Sequence, residues 1–467
     1  MRVPVSPPPG RFCGQHAIVI GGSISGLLAA RVLSAHFDRV TVLDRDALPS
    51  RVDNRRSVPQ GRHGHGLLAS GLRGLKSLFP DLERELLDGG AVAGDVIGSV
   101  RWFQHGHYKA RFRSGLDGLL LSRPLLETTI RRQVARLPNV AIQDGTHVLG
   151  LLISRKGVDG VRLQRAGSVV ESVAADLVID AAGRASRSPD WLEQAGYERP
   201  AVEEVRVDLG YTTRTYRRRP QELGGDMGAV IAPTPGQSMR AGFILAQEGE
   251  RWIVSIGGWL GDHAPLDPKG YLEYARSLPR PDIYEVIEQA EPLTDLVKYV
   301  FPSNLRRRYE RLERFPSRYL VMGDAICSFN PLYGQGMSVA TLEAQALSEC
   351  LGAASSLDDV WRAFFKLAGG IVEGPWTIAA GSDFAFKGVT GKRPVGTKAI
   401  NWYLNHVHRA ASTDRHVCRV FFDVANLLAP ATTLFRPGVM ARVARACLLP
   451  GRGDRTPTER GRLVETT

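Results

Sequence analysis

Cysteine is scarce in this chain, with five among 467 residues (Cys13, Cys327, Cys350, Cys418 and Cys447). They form no C-x-x-C pair and no metal spacing, and their odd number argues against a disulfide framework. A reducing cytoplasm is the compartment this implies. A long unbroken apolar run is missing too. Residues 1–14 are proline-rich and interrupted by polar positions, so they read as a loose leader and not as a signal peptide or membrane span. The polar, aperiodic stretch 451–467 reads as a disordered tail.

Long runs of one charge are also lacking. The net charge is +12, yet the basic triplets Arg217 to Arg219 and Arg306 to Arg308 are short and scattered, and no nucleic-acid-binding motif accompanies them. Solvated faces or a bias toward an anionic cofactor explain them better than a nucleic-acid partner. No serine triad, metal cluster or catalytic carboxylate pair is found. His63 and His65 stand at i and i+2 on a glycine-rich loop without further spaced ligands, so no metal site is assigned.

What is present, at 43% hydrophobic and 23% charged residues, is an ordinary globular composition long enough for two lobes. The stretch Ala17 to Asp46 carries the first chemical signal. An apolar strand ending at Val19 and Ile20, a glycine turn, a helix from Ser25 to Phe37 and a strand from Arg39 to Asp44 make a βαβ unit. Its turn is "GGSISG". Gly21 permits the bend, Gly26 lets the helix sit against the sheet, and the helix N-terminus offers free amides to a pyrophosphate. Ser23 replaces the middle glycine of G-x-G-x-x-G with a small hydroxyl that can donate a bond of its own, and Gly22 and Ser25 complete the candidate phosphate contacts. Asp44 follows Gly26 by eighteen positions, where a carboxylate accepts from a ribose hydroxyl pair.

A second strand-loop-helix lies at "RYLVMGDAICSFNPLYGQGMSVATLEAQ". Tyr319 to Met322 read as a strand, Gly323-Asp324 as its end, Pro331 to Gly336 as a loop and Met337 onward as a helix. Gly334 and Gly336 expose amides suited to negative charge, and Asp324 is an acceptor.

These two motifs together resemble the FAD-dependent monooxygenases of the para-hydroxybenzoate hydroxylase fold. The resemblance implies that Asp324 binds the ribityl chain and that Pro331 through Met337 lie beside the flavin ring. "ADLVIDAAGRASRS" is similar to a third family segment, with Ala182-Gly183 where many hydroxylases carry aspartate-glycine. "LSRPLLETTIRR" is similar to the helix that presents an arginine to the cofactor, which makes Arg123 a candidate. The run Arg55 to Pro80, "RRSVPQGRHGHGLLASGLRGLKSLFP", resembles more narrowly the actinobacterial polyether epoxidases of the lasalocid and monensin type, and it adds Arg56 to the candidates. The resemblance spans Gln15 to the 340s.

The expected fold class is α/β. An FAD-binding Rossmann-like domain (15–195 and 301–355) carries an inserted antiparallel-sheet substrate domain (196–300) and a helical C-terminal region (356–450), with a small meander over Val148 to Ile179. Phe364, Phe365, Phe384, Phe421, Phe422 and Leu427 of the C-terminal region either cap an apolar cavity or pack as core.

The implied function is epoxidation of a carbon–carbon double bond in a polyketide- or terpenoid-like small molecule, through a flavin C4a-hydroperoxide formed with O2. Aromatic hydroxylation and double-bond reduction are the alternatives, and a non-enzymatic FAD scaffold is a further class. The W-x-W-x-I-P segment of flavin halogenases is missing. No second complete glycine fingerprint follows a strand, so NADPH or NADH docks transiently or a partner flavin reductase supplies reduced flavin.

Overall fold

The computed structural model describes residues 13–448 apart from residue 166. Most of the expected leader and the whole of the expected tail lie outside the described residues. Gly14 already belongs to the first strand, Gly14–Ile20.

That strand is the centre of a five-stranded parallel sheet. Phe37–Leu43 and then Val140–Gln143 lie on one side of it, and Leu177–Asp180 and then Tyr319–Val321 on the other. Ala17, Ile18 and Val19 are solvent-free, as expected of a strand covered on both faces. The crossover helix Ile24–Leu33 is shorter than its sequence pattern. It stops before His36, because Phe37 is recruited as the first residue of the next strand. Helix Gly336–Ala353 packs directly on this crossover helix and carries the long helix Val360–Asp383 outside it.

The meander Thr146–Ser154, Gly157–Arg165 and Glu171–Ala174 forms a separate three-stranded sheet. The second large body is a nine-stranded sheet. Its axis is Val202–Arg217, which pairs antiparallel with both Arg251–Gly258 and Val297–Arg307. Two differences from the expected boundaries have a physical reason. Strands Val100–Gln104 and His107–Tyr108 come from the first half of the chain yet complete this sheet, the former in parallel with Gly228–Ile231. Position 301 falls inside the strand Val297–Arg307, whose last residues pair with Cys327–Ser328. The two sheets stay separate, and the chain crosses from the parallel sheet to the large one between Tyr319–Val321 and Cys327–Ser328.

The C-terminal region is helical, with Thr397–Ala410, Arg415–Ala425 and Pro437–Leu448 around one cluster that includes Val407, Cys418, Phe422, Val439 and Val443. Phe365 packs against Phe315 and Tyr309, and Phe364 against Phe365, so both are core residues. No two of the five cysteines form a disulfide among the described residues. Among the described residues no helix is long and apolar enough to cross a membrane, and no group of three or more His, Cys, Asp or Glu is placed to hold a metal.

Candidate flavin-binding cleft

The glycine turn is fixed by contacts that tolerate no side chain. Gly21 has φ +101°, and a Cβ there would lie 2.6 Å from the carbonyl oxygen of Ala181. A Cβ at Gly26 would lie only 1.7 Å from the carbonyl oxygen of Gly21. The turn is therefore pressed against the "DAAGR" segment on one side and its own helix on the other. Neither helix Ile24–Leu33 nor helix Gly336–Ala353 has an acidic residue in its first turn, so both N-terminal partial charges remain for a ligand.

Motifs far apart in sequence converge here. A Cβ at Gly323 would meet Ser25 Oγ at 2.6 Å, so the Gly-Asp motif touches the first turn of the crossover helix. A Cβ at Gly336 would lie 3.5 Å from Asp324 Oδ1, and one at Gly334 would lie 3.5 Å from the carbonyl oxygen of Gly66. Gly21, Ser25, Ala181, Gly323, Asp324, Gly334, Gly336 and Gly66 are thus brought together in one region.

Asp44 closes one end. Its Oδ2 accepts from the Gly22 amide at 2.7 Å and pairs with Arg55 Nη2 at 2.6 Å, while Oδ1 accepts from the Asp46 amide. Arg55 is the organiser that sequence reading passed over. Buried, it also bonds Glu127 Oε1 at 2.7 Å and the carbonyl oxygen of Gly22. Its neighbour Arg56 is exposed, so the structure brings Arg55 and not Arg56 against the turn. Glu127 was likewise missed. It accepts the hydroxyl hydrogen of Ser23, whose oxygen in turn accepts from Arg123 Nη2 at 3.0 Å. The Ser23 hydroxyl is therefore committed within the protein, and backbone amides are what the turn presents.

Asp324 takes no hydrogen bond from the described residues. Burial pushes its carboxyl above the usual aspartate range, opposed by Arg123 and Arg184. Behind it, Glu343 is completely buried and accepts from the Gly323 amide at 2.6 Å, and burial pushes it up to about 8. Ser25 Oγ is buried without a partner. An orphaned hydroxyl at a helix N-terminus, an aspartate with no hydrogen bond from the described residues, and nearby arginines form a donor and acceptor set that fits the phosphate and hydroxyl groups of a dinucleotide such as FAD.

The loop that would face the ring is held from the opposite side. Pro331–Tyr333 forms a 3-10 turn capped by Asn330, Gly334 adopts the left-handed region at φ +66°, the helix begins at Gly336, and Met337 is buried. Asp383, the last residue of helix Val360–Asp383, accepts from Asn304 Nδ2 at 2.7 Å, Trp259 Nε1 at 3.0 Å, Tyr333 OH at 3.0 Å and Asn330 Nδ2 at 3.1 Å. Burial pushes Asp383 up to about 6 against these four donors. It ties the loop to the large sheet and to the helical region at once.

Over the large sheet lies the His63–Gly66 loop. His63 Nδ1 contacts Thr213 Oγ1 at 2.7 Å, Thr213 bonds Ser255, and the imidazole sits edge-on to Tyr211 at 4.8 Å. Burial holds His63 at about 4 and His65 at about 3, so both are neutral at pH 7. Gly64 admits no side chain, since a Cβ would strike the Phe243 ring at 2.1 Å. In the "DAAGR" segment the carboxylate is Asp180, which accepts from the Ala182 amide and from Ser186 and Ser188, and so stiffens the turn itself.

No protein-family model matches the chain. Among solved structures, the flavin-dependent brominase Bmp2 superposes with a TM-score of 0.64 at 13% identity, covering 93% of this chain and 98% of that one. The tetrameric form of 2-methyl-3-hydroxypyridine-5-carboxylic acid oxygenase gives a TM-score of 0.55 at 19% identity, covering 79% and 93%. At these identities the likeness shows the fold alone, which this chain shares with those two proteins. By sequence, Protein Rv3254 of Mycobacterium tuberculosis is 34% identical over 415 residues, 82% of this chain and 84% of its own length. On that identity and coverage, the chain belongs to the family of Rv3254.

Proposed function

We propose that the protein is an FAD-dependent monooxygenase that inserts one oxygen atom into an apolar small molecule, by epoxidation of a carbon–carbon double bond. The observation that carries this reading is the convergence in one cleft of the side-chain-free turn Gly21 to Gly26, Asp44, and the Asp324 to Gly336 segment. FAD, when bound, supplies the redox chemistry that activates O2. The chain's own residues bind and orient. The two helix N-termini hold negative charge, Arg55 fixes the Asp44 carboxylate, and Asp383 fixes the loop beside the ring. The neutral His63 and His65 and the aromatic side chains Tyr211 and Phe243 close the large-sheet side with few charges, which favours an apolar substrate and keeps water out.

The run Arg55 to Pro80, with its likeness to polyether epoxidases, supports an alkene as the substrate group. NADPH or NADH, or a partner flavin reductase, supplies the electrons. Turnover of a polyene under labelled O2, followed by mass analysis, tests the proposal: one labelled atom in an epoxide is expected. Label in a phenol from an electron-rich ring assigns aromatic hydroxylation instead, and saturation of the double bond without O2 makes the protein a reductase and overturns the proposal.

A further inference from the structure

The positive charge of the chain is concentrated in one place. Residues 385–448 contain ten Lys and Arg against two Asp, a net +8 of the total +12. Both aspartates are already paired, Asp414 with Arg442 and Arg445 and Asp423 with Arg419. The segment from Lys392 to Arg409 has four cations and no acidic residue, and none of the four has a carboxylate partner among the described residues, Arg393 lying instead over the Phe384 ring. The short strand Thr390–Gly391 pins the start of this segment to Val205 and Arg206 of the large sheet. The acidic neighbours on that strand are engaged elsewhere, Glu203 by Arg308 and Glu204 by Ser303.

Apolar side chains project from the middle of this basic segment. Val395, in the loop between Arg393 and Lys398, is fully exposed. Trp402 is 64% exposed on the outer face of helix Thr397–Ala410, the face that also carries Lys398, Asn405 and Arg409. The same helix buries Val407 and Ala410 against Val439 and Val443 of helix Pro437–Leu448, whose outer side shows Met440. Exposed Val395 and Trp402 within a stretch of cations that lack carboxylate partners among the described residues are the pattern of a helix and loop that lie in a headgroup layer, where the apolar groups enter the acyl boundary and the cations meet anionic phosphates.

We propose that the surface formed by residues 392–409 and the outer side of helix Pro437–Leu448 docks the protein reversibly on an anionic lipid bilayer. The excess of positive charge and the exposed Val395 and Trp402 beside it select an anionic bilayer as the occupant. Docking is interfacial and needs no spanning helix, in keeping with the lack of one among the described residues.

Co-sedimentation of the full-length protein with vesicles tests this. Binding is expected to vesicles of equal parts phosphatidylglycerol and phosphatidylcholine, to be weak for pure phosphatidylcholine, and to fall at high salt. Each cation near an anionic leaflet is worth about fivefold in partitioning, so Lys392→Ala/Arg393→Ala should lower binding by about twenty-five-fold. Arg155→Ala/Lys156→Ala removes the same charge from the exposed meander turn and should leave binding near the parent value. Trp402→Ala should weaken it without changing salt dependence. All variants alter exposed residues, so equal melting temperatures and flavin content confirm that folding is retained. No association with anionic vesicles at low salt, or equal losses in the two double variants, overturns the proposal.

Discussion

Replacing Gly26 by alanine adds one methyl group where the structure has no room for it. The new Cβ would sit 1.7 Å from the Gly21 carbonyl oxygen, and the next obstacles are the Gly21 carbonyl carbon at 2.9 Å and Val19 Cγ1 at 3.3 Å. A side chain can rotate away from an intruder, but the main obstacle here is backbone held by the Gly21 amide bond to Leu43. The crossover helix must therefore lift from the sheet or the turn must open, and both displace the amides of the proposed pyrophosphate site. Overpacking against movable side chains costs about 1–3 kcal/mol. Against fixed backbone the expected cost is at or above the top of that range, about 3 kcal/mol. Gly370→Ala is the matched control: it lies exposed within helix Val360–Asp383 with nothing within 4 Å of the added Cβ. It should stabilise by about 0.5–1 kcal/mol through helix propensity. Differential scanning calorimetry and flavin absorbance of the purified proteins check both. Gly26→Ala should melt several degrees lower and lose its flavin, whereas Gly370→Ala should melt slightly higher and keep it. Parent-like melting and flavin content in Gly26→Ala would falsify the close-packed turn.

Three further outcomes follow from the cleft. Asp324→Ala should weaken FAD binding by about 1.5–3 kcal/mol, the range for a bond to a charged group, measured by titration of apoprotein with FAD; unchanged affinity would return Asp324 to a structural role. Glu343 keeps its proton in the folded chain between its ordinary value of 4.5 and about 8, where the unfolded chain has lost it, so its contribution to stability declines as pH rises through that window. Glu343→Gln should flatten this decline in denaturant melts at successive pH values, and an unaltered slope would place the pH dependence elsewhere. Asp383→Ala leaves the Asn304, Trp259, Asn330 and Tyr333 donors without their shared acceptor, and should cost about 3–5 kcal/mol by loss of a buried charged centre. A variant that melts with the parent would show that the loop is held by other contacts.

Features encoded by local spacing were legible in the sequence. The turn Gly21 to Gly26, the offset to Asp44 and the Gly323-Asp324 strand end each rest on a few neighbouring residues whose conformational needs are local. Arg55 was not legible, because it stands beside Arg56 on a loop without periodicity, and only the fold decides which side chain turns inward. Glu127 reads as an ordinary polar position on helix Arg123–Ala135, and its buried role arises from partners seventy-two and one hundred and four positions away. Asp383 and Glu343 look like surface carboxylates on helices for the same reason: their donors come from segments brought together by the tertiary fold. The strand Val100–Gln104 escaped assignment to the large sheet because its partner Gly228–Ile231 comes more than a hundred residues later in the chain.

FAD in this site is read from the cofactor content of the protein itself. Purified protein, reconstituted with excess FAD and freed of unbound ligand, is denatured, and the released flavin is identified by mass and counted against protein. FAD is expected at one molecule per chain, lost together with the bound flavin spectrum in Gly26→Ala. A folded parent protein that retains no flavin after reconstitution would contradict it.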